Sequence, residues 1–202
     1  FEGTVYTAKF GNNVAEITSP FGVRLRLHTT GSVPFLRPLG IAYVDIFVPP
    51  GIAAAVADFY RKIFRAITRV EAVDGATTAI ISAGPFQTIR FIERELDNHD
   101  THSFHLSYHV THYNEARDRI AASGTLKGEG RGQVFFFDRI FDPDNGATVF
   151  PLENEVRSVY QRDFMRPLVN RWPITDEPFS DQAEVLGDIE REQGFVLGSK
   201  IG

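Results

Sequence analysis

The sequence predicts an α+β fold made of two successive βαβββ modules, with a few strands before them and a polar extension after them. Three observations carry this. Short apolar or alternating runs, bounded by Gly, Pro, Asn and Asp, recur along the first 150 residues. Two segments with helical apolar spacing interrupt them. The order strand, helix, three strands then occurs twice at nearly constant spacing.

Residues Thr4 to Phe10, Val14 to Thr18 and Val23 to His28 read as three strands, separated by Gly11-Asn12-Asn13 and Ser19-Pro20-Phe21-Gly22. Those residues supply the backbone angles that tight turns need, and Arg24-Leu25-Arg26-Leu27 alternates at period two. Thr29 to Pro38, with Gly31, Pro34 and Pro38, reads as a linker.

The first module occupies 41–95. Ile41 to Val48 is a strand, ended by Pro49-Pro50-Gly51, which neither a helix nor an inner strand accommodates. Ile52 to Ile67 is Ala-rich with Ile52, Val56, Phe59, Tyr60, Ile63 and Phe64 on one helical face. Val70 to Val73, Thr77 to Ala83 and Phe86 to Glu93 are strands joined at Asp74-Gly75 and Gly84-Pro85. The second module occupies 103–153. It repeats the order with strand Phe104 to Val110, helix Tyr113 to Ser123 stopped by Gly124, and strands Leu126 to Glu129, Gln133 to Ile140 and Ala147 to Leu152. Superposed, the modules place Tyr43 on His105 and Arg90 on Pro151, offsets of 62 and 61 residues. A duplication accounts for this, because each module alone leaves a sheet face uncovered. Glu153 to Leu168 is expected to be a helix with Val156, Val159 and Tyr160 on one side. The remainder, with a short helical stretch at Gln182 to Glu192, is expected to wrap the domain or a partner.

Composition narrows the function classes. At 43% hydrophobic and 23% charged residues, the 202-residue chain is a packed globular protein rather than a disordered one. A net charge of -5 opposes a surface built to neutralise nucleic acid phosphates. Without cysteine there is no disulfide framework, thiolate nucleophile or zinc-cysteine site. No apolar run approaches the roughly 20 residues that span a bilayer. A soluble, cytoplasmic protein is expected. The chain opens on Phe1, and its one methionine is Met165, which reads as part of a longer polypeptide.

Three segments carry a family likeness. They are Tyr43-Val44-Asp45-Ile46-Phe47-Val48-Pro49 with Ala57-Asp58-Phe59-Tyr60-Arg61; His105-Leu106-Ser107-Tyr108-His109-Val110 with Glu115-Ala116; and Phe141-Asp142-Pro143-Asp144-Asn145-Gly146. In order and spacing, over 41–153, they resemble the vicinal oxygen chelate superfamily of glyoxalase I, bleomycin and fosfomycin resistance proteins, methylmalonyl-CoA epimerase and extradiol dioxygenases. The resemblance implies that the paired modules of a domain over 38–153 curl into an open mixed-sheet barrel; a homodimer, paired through the open first strands or the C-terminal extension, is expected as well. The resemblance implies further that 1–37 holds the closing strands of a preceding module of the same kind, with 154–202 a C-terminal extension.

The resemblance also implies a metal cradle, with His or Gln on the first strand, Glu on the fourth, His on the fifth and Glu on the eighth. Such oxygen and imidazole donors hold a divalent ion (Mn, Fe, Ni, Zn or Mg) and leave positions for a substrate's oxygens. Here those positions fall on Tyr43, Arg90, His105 and Pro151. Only His105 is a usual ligand, since arginine is a fixed cation and proline has no donor. Strand alternation brings Asp45 and Phe47 to the face of Tyr43, Ser107 and His109 to that of His105, and Glu153 near the rim. A displaced metal site of His105, Asp45 and Glu153 is one reading. No metal at all is the other.

The remaining groups admit two readings each. Arg90 is either the partner a buried Asp45 requires or a fork for a ligand carboxylate or enolate, with Asp45 or His105 moving a proton. Tyr43, Phe47, Arg90, Ser107 and His109 are the candidate ligand contacts. His99 and His102, with Asp97 and Asp100, fall in a polar loop, and His112 just after a strand, where histidines are ordinary surface residues. Two functions stay open. One is an enzyme acting on a small oxygenated or aromatic molecule, of lyase, isomerase or dioxygenase type, with a degenerate metal site. The other is a metal-free module that binds and sequesters such a molecule.

Overall fold

The computed structural model describes residues 5–19, 23–29, 31–32, 41–84, 87–96, 105–161 and 164, all within one compact unit spanning 1–166. Three sheets are present among them. Strands β1 (Thr7–Phe10), β2 (Val14–Thr18) and β3 (Arg24–His28) form an antiparallel sheet in that order. The first module follows as β4 (Tyr43–Val48), α1 (Ala53–Phe64), β5 (Thr68–Val73), β6 (Ala76–Gly84) and β7 (Gln87–Glu93). The second is β8 (His105–Val110), α2 (Tyr113–Ala122), β9 (Leu126–Gly130), β10 (Val134–Phe141) and β11 (Thr148–Ser158). Both modules have one topology, β4-β7-β6-β5 and β8-β11-β10-β9, with the first strand parallel to the last and the other pairs antiparallel. The expected pair of βαβββ modules, each an open mixed sheet, is what the chain forms.

Local chemistry explains the boundaries. Pro49 and Pro50 end β4, and the first free amide of α1, that of Ala53, donates to Glu93 Oε1 of β7 at 2.7 Å. The carboxylate thus satisfies an unpaired donor and complements the helix dipole. Arg65 closes α1 in the left-handed conformation, with φ 55. From α2, Arg119 donates to the last carbonyls of α1, Lys62 O and Ile63 O, at 3.0 and 2.9 Å. The Asp142 to Gly146 segment is a turn builder: Asp142 accepts from the Asp144 amide and the Asn145 side chain, both at 2.8 Å. Lys62 ties this turn to α1 through Asp144 at 2.6 Å.

Between β5 and β6 the chain reverses through Asp74 and Gly75, with φ of 51 and 82, the left-handed pair of a type I′ hairpin. A Gly75→Ala change meets no neighbouring atom, so its cost is backbone strain alone. A loss of about 1–2 kcal/mol in urea unfolding is expected, with the fold unchanged.

The core lies between the two modules. α1 buries Val56, Phe59, Tyr60, Ile63 and Phe64, and these meet Val48 and Phe91 of the first sheet and Phe137 and Phe141 of the second. The Phe59 ring is 5.1 Å from that of Phe141 and 5.9 Å from that of Phe137, while Phe64 lies 5.5 Å from Tyr108. Burial holds the Tyr60 and Tyr108 phenols far above the ordinary tyrosine range, so both stay neutral.

Two expectations are corrected. Residues 153–158 are strand, not the start of a helix. They continue the parallel ladder with β8 from Glu153 opposite His105 to Ser158 opposite Val110, burying Asn154, Val156 and Ser158 at period two. Ladder pairing with β8 outweighs the local spacing of Val156, Val159 and Tyr160. Val159 to Gln161 and Phe164 are turn and bend residues, and the rest of the expected extension, including Gln182 to Glu192, lies outside the described residues. Second, Arg90 is not the counterpart of Pro151. Tyr43 is paired with Thr88 and His105 with Glu153, so Arg90, opposite Asp45, corresponds to Glu155, opposite Ser107.

Candidate functional site

Because Val44, Ile46 and Val48 of β4, and Leu106 and Tyr108 of β8, face the shared core, alternation turns the intervening residues to the outer faces. Tyr43, Asp45 and Phe47 therefore sit on one sheet's outer face, and His105, Ser107 and His109 on the other's.

The first face is partly covered by β3. Arg90, opposite Asp45 in the ladder, grips that carboxylate in fork geometry, Nε to Oδ1 at 2.5 Å and Nη2 to Oδ2 at 2.7 Å. Both side chains are largely covered, at 20% and 16% exposure. The Arg90 guanidinium also lies 3.8 Å above the Tyr43 ring. Burial alone would lower the Arg90 pKa, but the hydrogen bonds and charge of Asp45 raise it above the ordinary guanidinium value. From β3, Arg26 approaches Asp45 Oδ2 at 3.8 Å while bonded to Glu16 at 3.2 Å, and His28 Nε2 meets the Tyr43 hydroxyl at 2.6 Å. Arg94 and Arg24 lie 3.5 and 5.1 Å from the Phe47 ring centroid. Four arginines thus converge on a face whose aromatic floor is Tyr43 and Phe47. Tyr43→Phe removes one link between β3 and β4. Deuterium exchange of the β1–β3 amides should quicken several-fold with β4–β7 unchanged, matching a bond of about 1 kcal/mol.

On the second face, Glu155 is buried apart from 12% of its side chain. It accepts Arg157 at 2.5 Å and lies 3.3 Å from His105 Nε2, whose ring is more than half exposed. Ser107 is the exposed neighbour of Glu155 in the ladder, and the His109 ring packs 5.4 Å from that of Phe164. Glu153 is exposed beside His105. His112 is a surface residue 3.9 Å from Glu115. His99, His102, Asp97 and Asp100 lie outside the described residues.

The divalent ion that the resemblance implies does not fit these donors. Among the described residues no three His, Asp or Glu side chains converge, and the proposed set of His105, Asp45 and Glu153 is split between two sheets. Asp45 already has both oxygens on Arg90, and Pro151 stands opposite Arg139 without a donor.

Sequence reasoning missed Arg24, Arg26 and His28 as site residues, although their alternation in β3 places all three on one face. It missed Glu155 and Arg157 because they were assigned to a helix.

No protein-family model and no curated protein matches the chain. Among solved structures it is similar to a glyoxalase family protein from Bacillus anthracis, at 17% identity and TM-score 0.44, covering 61% of this chain and 98% of that one. A variant of the fosfomycin resistance protein of Listeria monocytogenes, solved with manganese(II) and dihydroxypropylphosphonic acid, is similar at 18% identity and TM-score 0.40, over 58% and 90%. A lactoylglutathione lyase from Agrobacterium tumefaciens is similar at 15% identity and TM-score 0.40, over 61% and 96%. Likenesses this distant carry no argument about activity. Among the described residues no helix is long and apolar enough to cross a membrane.

Proposed function

We propose that the β4–β7 face, together with β3, binds a small molecule carrying a carboxylate, enolate or similar oxyanion next to an aromatic or planar body, and does so without a metal ion. The observation that supports this is Arg90. A permanent cation sits on Asp45 and Tyr43 in the middle of the face, where it repels any divalent ion and neutralises the carboxylate that would otherwise hold one. Arg26, less covered than Arg90 and paired with Glu16 at 3.2 Å, is the guanidinium that can turn toward a ligand by exchanging that solvent-exposed partner. Phe47 and Tyr43 offer rings on which a planar ligand stacks. Asp45 is poorly suited to moving protons while Arg90 occupies both its oxygens, which favours a binding module over a lyase, isomerase or dioxygenase. One observation favours the enzyme-like alternative: His105 beside Glu155 is a pair fit for acid–base work, acting on the second module's face alone. A homodimer and a cytoplasmic address belong to the same proposal, the latter supported by the complete lack of cysteine.

Titration calorimetry with benzoate and phenylphosphonate, in EDTA and again with added Mn²⁺, tests the reading. Equal affinity in both conditions, weakened about tenfold by Arg26→Ala, is expected for loss of one charge-assisted contact. Binding that requires Mn²⁺, or that Arg26→Ala leaves unchanged, overturns it.

A further inference from the structure

The β1–β3 sheet is inside out for a free-standing structure. Its registers place Ala8 opposite Ile17, Phe10 opposite Ala15, Ile17 opposite Leu25 and Ala15 opposite Leu27, so one face is wholly apolar. The other carries Lys9, Glu16, Thr18, Arg24, Arg26 and His28. It is the polar face that meets the first module, through Arg26 and His28. The apolar face is bare, with Phe10 79%, Leu25 53% and Leu27 55% exposed. A contiguous apolar face on a sheet marks a surface that something covers.

The same chain shows twice what covers such a sheet. β5–β6–β7 and β9–β10–β11 are antiparallel meanders with the strand order of β1–β2–β3. In the first module the residues that correspond to Ala15, Ile17, Leu25 and Leu27 are Ala79, Ile81, Ile89 and Phe91, none more than 5% exposed because α1 lies over them. In both modules the last strand also has a parallel neighbour, β4 on β7 and β8 on β11. Among the described residues the corresponding edge of β3 has none. Apolar face and open edge are thus the two places that a strand–helix unit fills in each complete module.

We infer that β1–β3 is the closing part of a third βαβββ module, and that an upstream strand and amphipathic helix of the same polypeptide complete it. The strand pairs parallel to β3 and the helix covers Phe10, Ile17, Leu25 and Leu27. The connection from α1 to β5 and from α2 to β9 is three residues, 65–67 and 123–125. With such a link, a helix of the 12 or 10 residues seen in α1 and α2 is longer than the six residues before β1, so residues 1–6 are not the completing unit. The consequence reaches the ligand face, because the completed module fixes β3 and with it Arg26 and His28. The inference holds whether or not that face binds a ligand.

The absence of cysteine makes the test direct. Leu27→Cys, and separately Leu25→Cys, gives a single thiol in the 202-residue chain, and its reaction with a maleimide is timed there and, read at that residue by peptide mass, in the natural polypeptide extended upstream. A thiol that reacts freely in the shorter chain and about a hundredfold more slowly in the longer one is the expected result. Equal rapid labelling in both overturns the inference. So does protection already present in the shorter chain: concentration-dependent protection assigns the face to a second copy, and concentration-independent protection to residues 165–202. A natural polypeptide with no strand and helix upstream of Phe1 overturns it as well.

Discussion

Phe59→Ala is expected to be the most damaging single change in the chain, lowering stability by about 3–5 kcal/mol, a large share of what a domain of this size commonly has. The side chain is fully buried, and its ring touches Tyr60 and Phe64 of its own helix at 5.2 and 5.8 Å besides Phe137 and Phe141 of the second module. Truncation leaves a cavity that cannot collapse from one side only, because two sheets are held apart by what surrounds it. The consequence falls on both modules together. Urea unfolding should remain a single transition at a lower midpoint, with β6 and β10 amides losing deuterium protection in parallel. If β10 stays protected while β6 exchanges, the modules are separate folding units and the shared core does not couple them.

Arg90→Ala is expected to cost about 2–3 kcal/mol, less than a fully buried pair because both groups keep some exposure and Arg26 remains near Asp45. Most of that cost is the stranded carboxylate, not the lost attraction. Asp45→Asn combined with Arg90→Leu should therefore recover the greater part of it, since a neutral amide tolerates the half-covered site better than a bare charge. The pH profile supplies a further check. The Arg90 pKa is raised, so its contribution is present at all pH values below the ordinary guanidinium range and is lost only above it. The stability difference between wild type and Arg90→Leu should accordingly show no midpoint of Arg90's own at mild pH. If Arg90→Ala proves as stable as wild type, the pair is a surface contact without weight in the fold. In the ligand titration the same variant should abolish metal-independent binding, and gaining Mn²⁺ binding instead would show Arg90 to be the group that excludes the ion.

The legibility of the molecule varied with the range of the forces involved. The helix of the first module was readable because Val56, Phe59, Tyr60 and Ile63 recur at the helical period, and the hairpin at Asp74-Gly75 because only such residues accept its angles. β11 was misread after Leu152. Nothing local in Glu153 to Ser158 declares a strand, and its conformation comes from the ladder it forms with β8, almost 50 residues earlier. The Asp45–Arg90 pairing was available as one of two readings, since buried acids require partners, and the structure selects it. His105 was singled out as a candidate ligand and acid–base group, but its neighbour Glu155, 3.3 Å away, was hidden inside the misassigned helix.

By itself the sequence determined the order of strands and helices, their duplication, and the alternation that sorts each strand into a core side and an outer side, because these follow from local sterics and apolar periodicity. Tertiary structure alone decided which faces meet. The aromatic residues of α1 draw both sheets onto one core, Asp45 and His105 are thereby turned to the sides of their sheets away from it, and β3 brings Arg26 and His28 to Asp45 and Tyr43. No local rule encodes such choices, since they depend on which apolar surfaces, far apart along the chain, bury one another most completely.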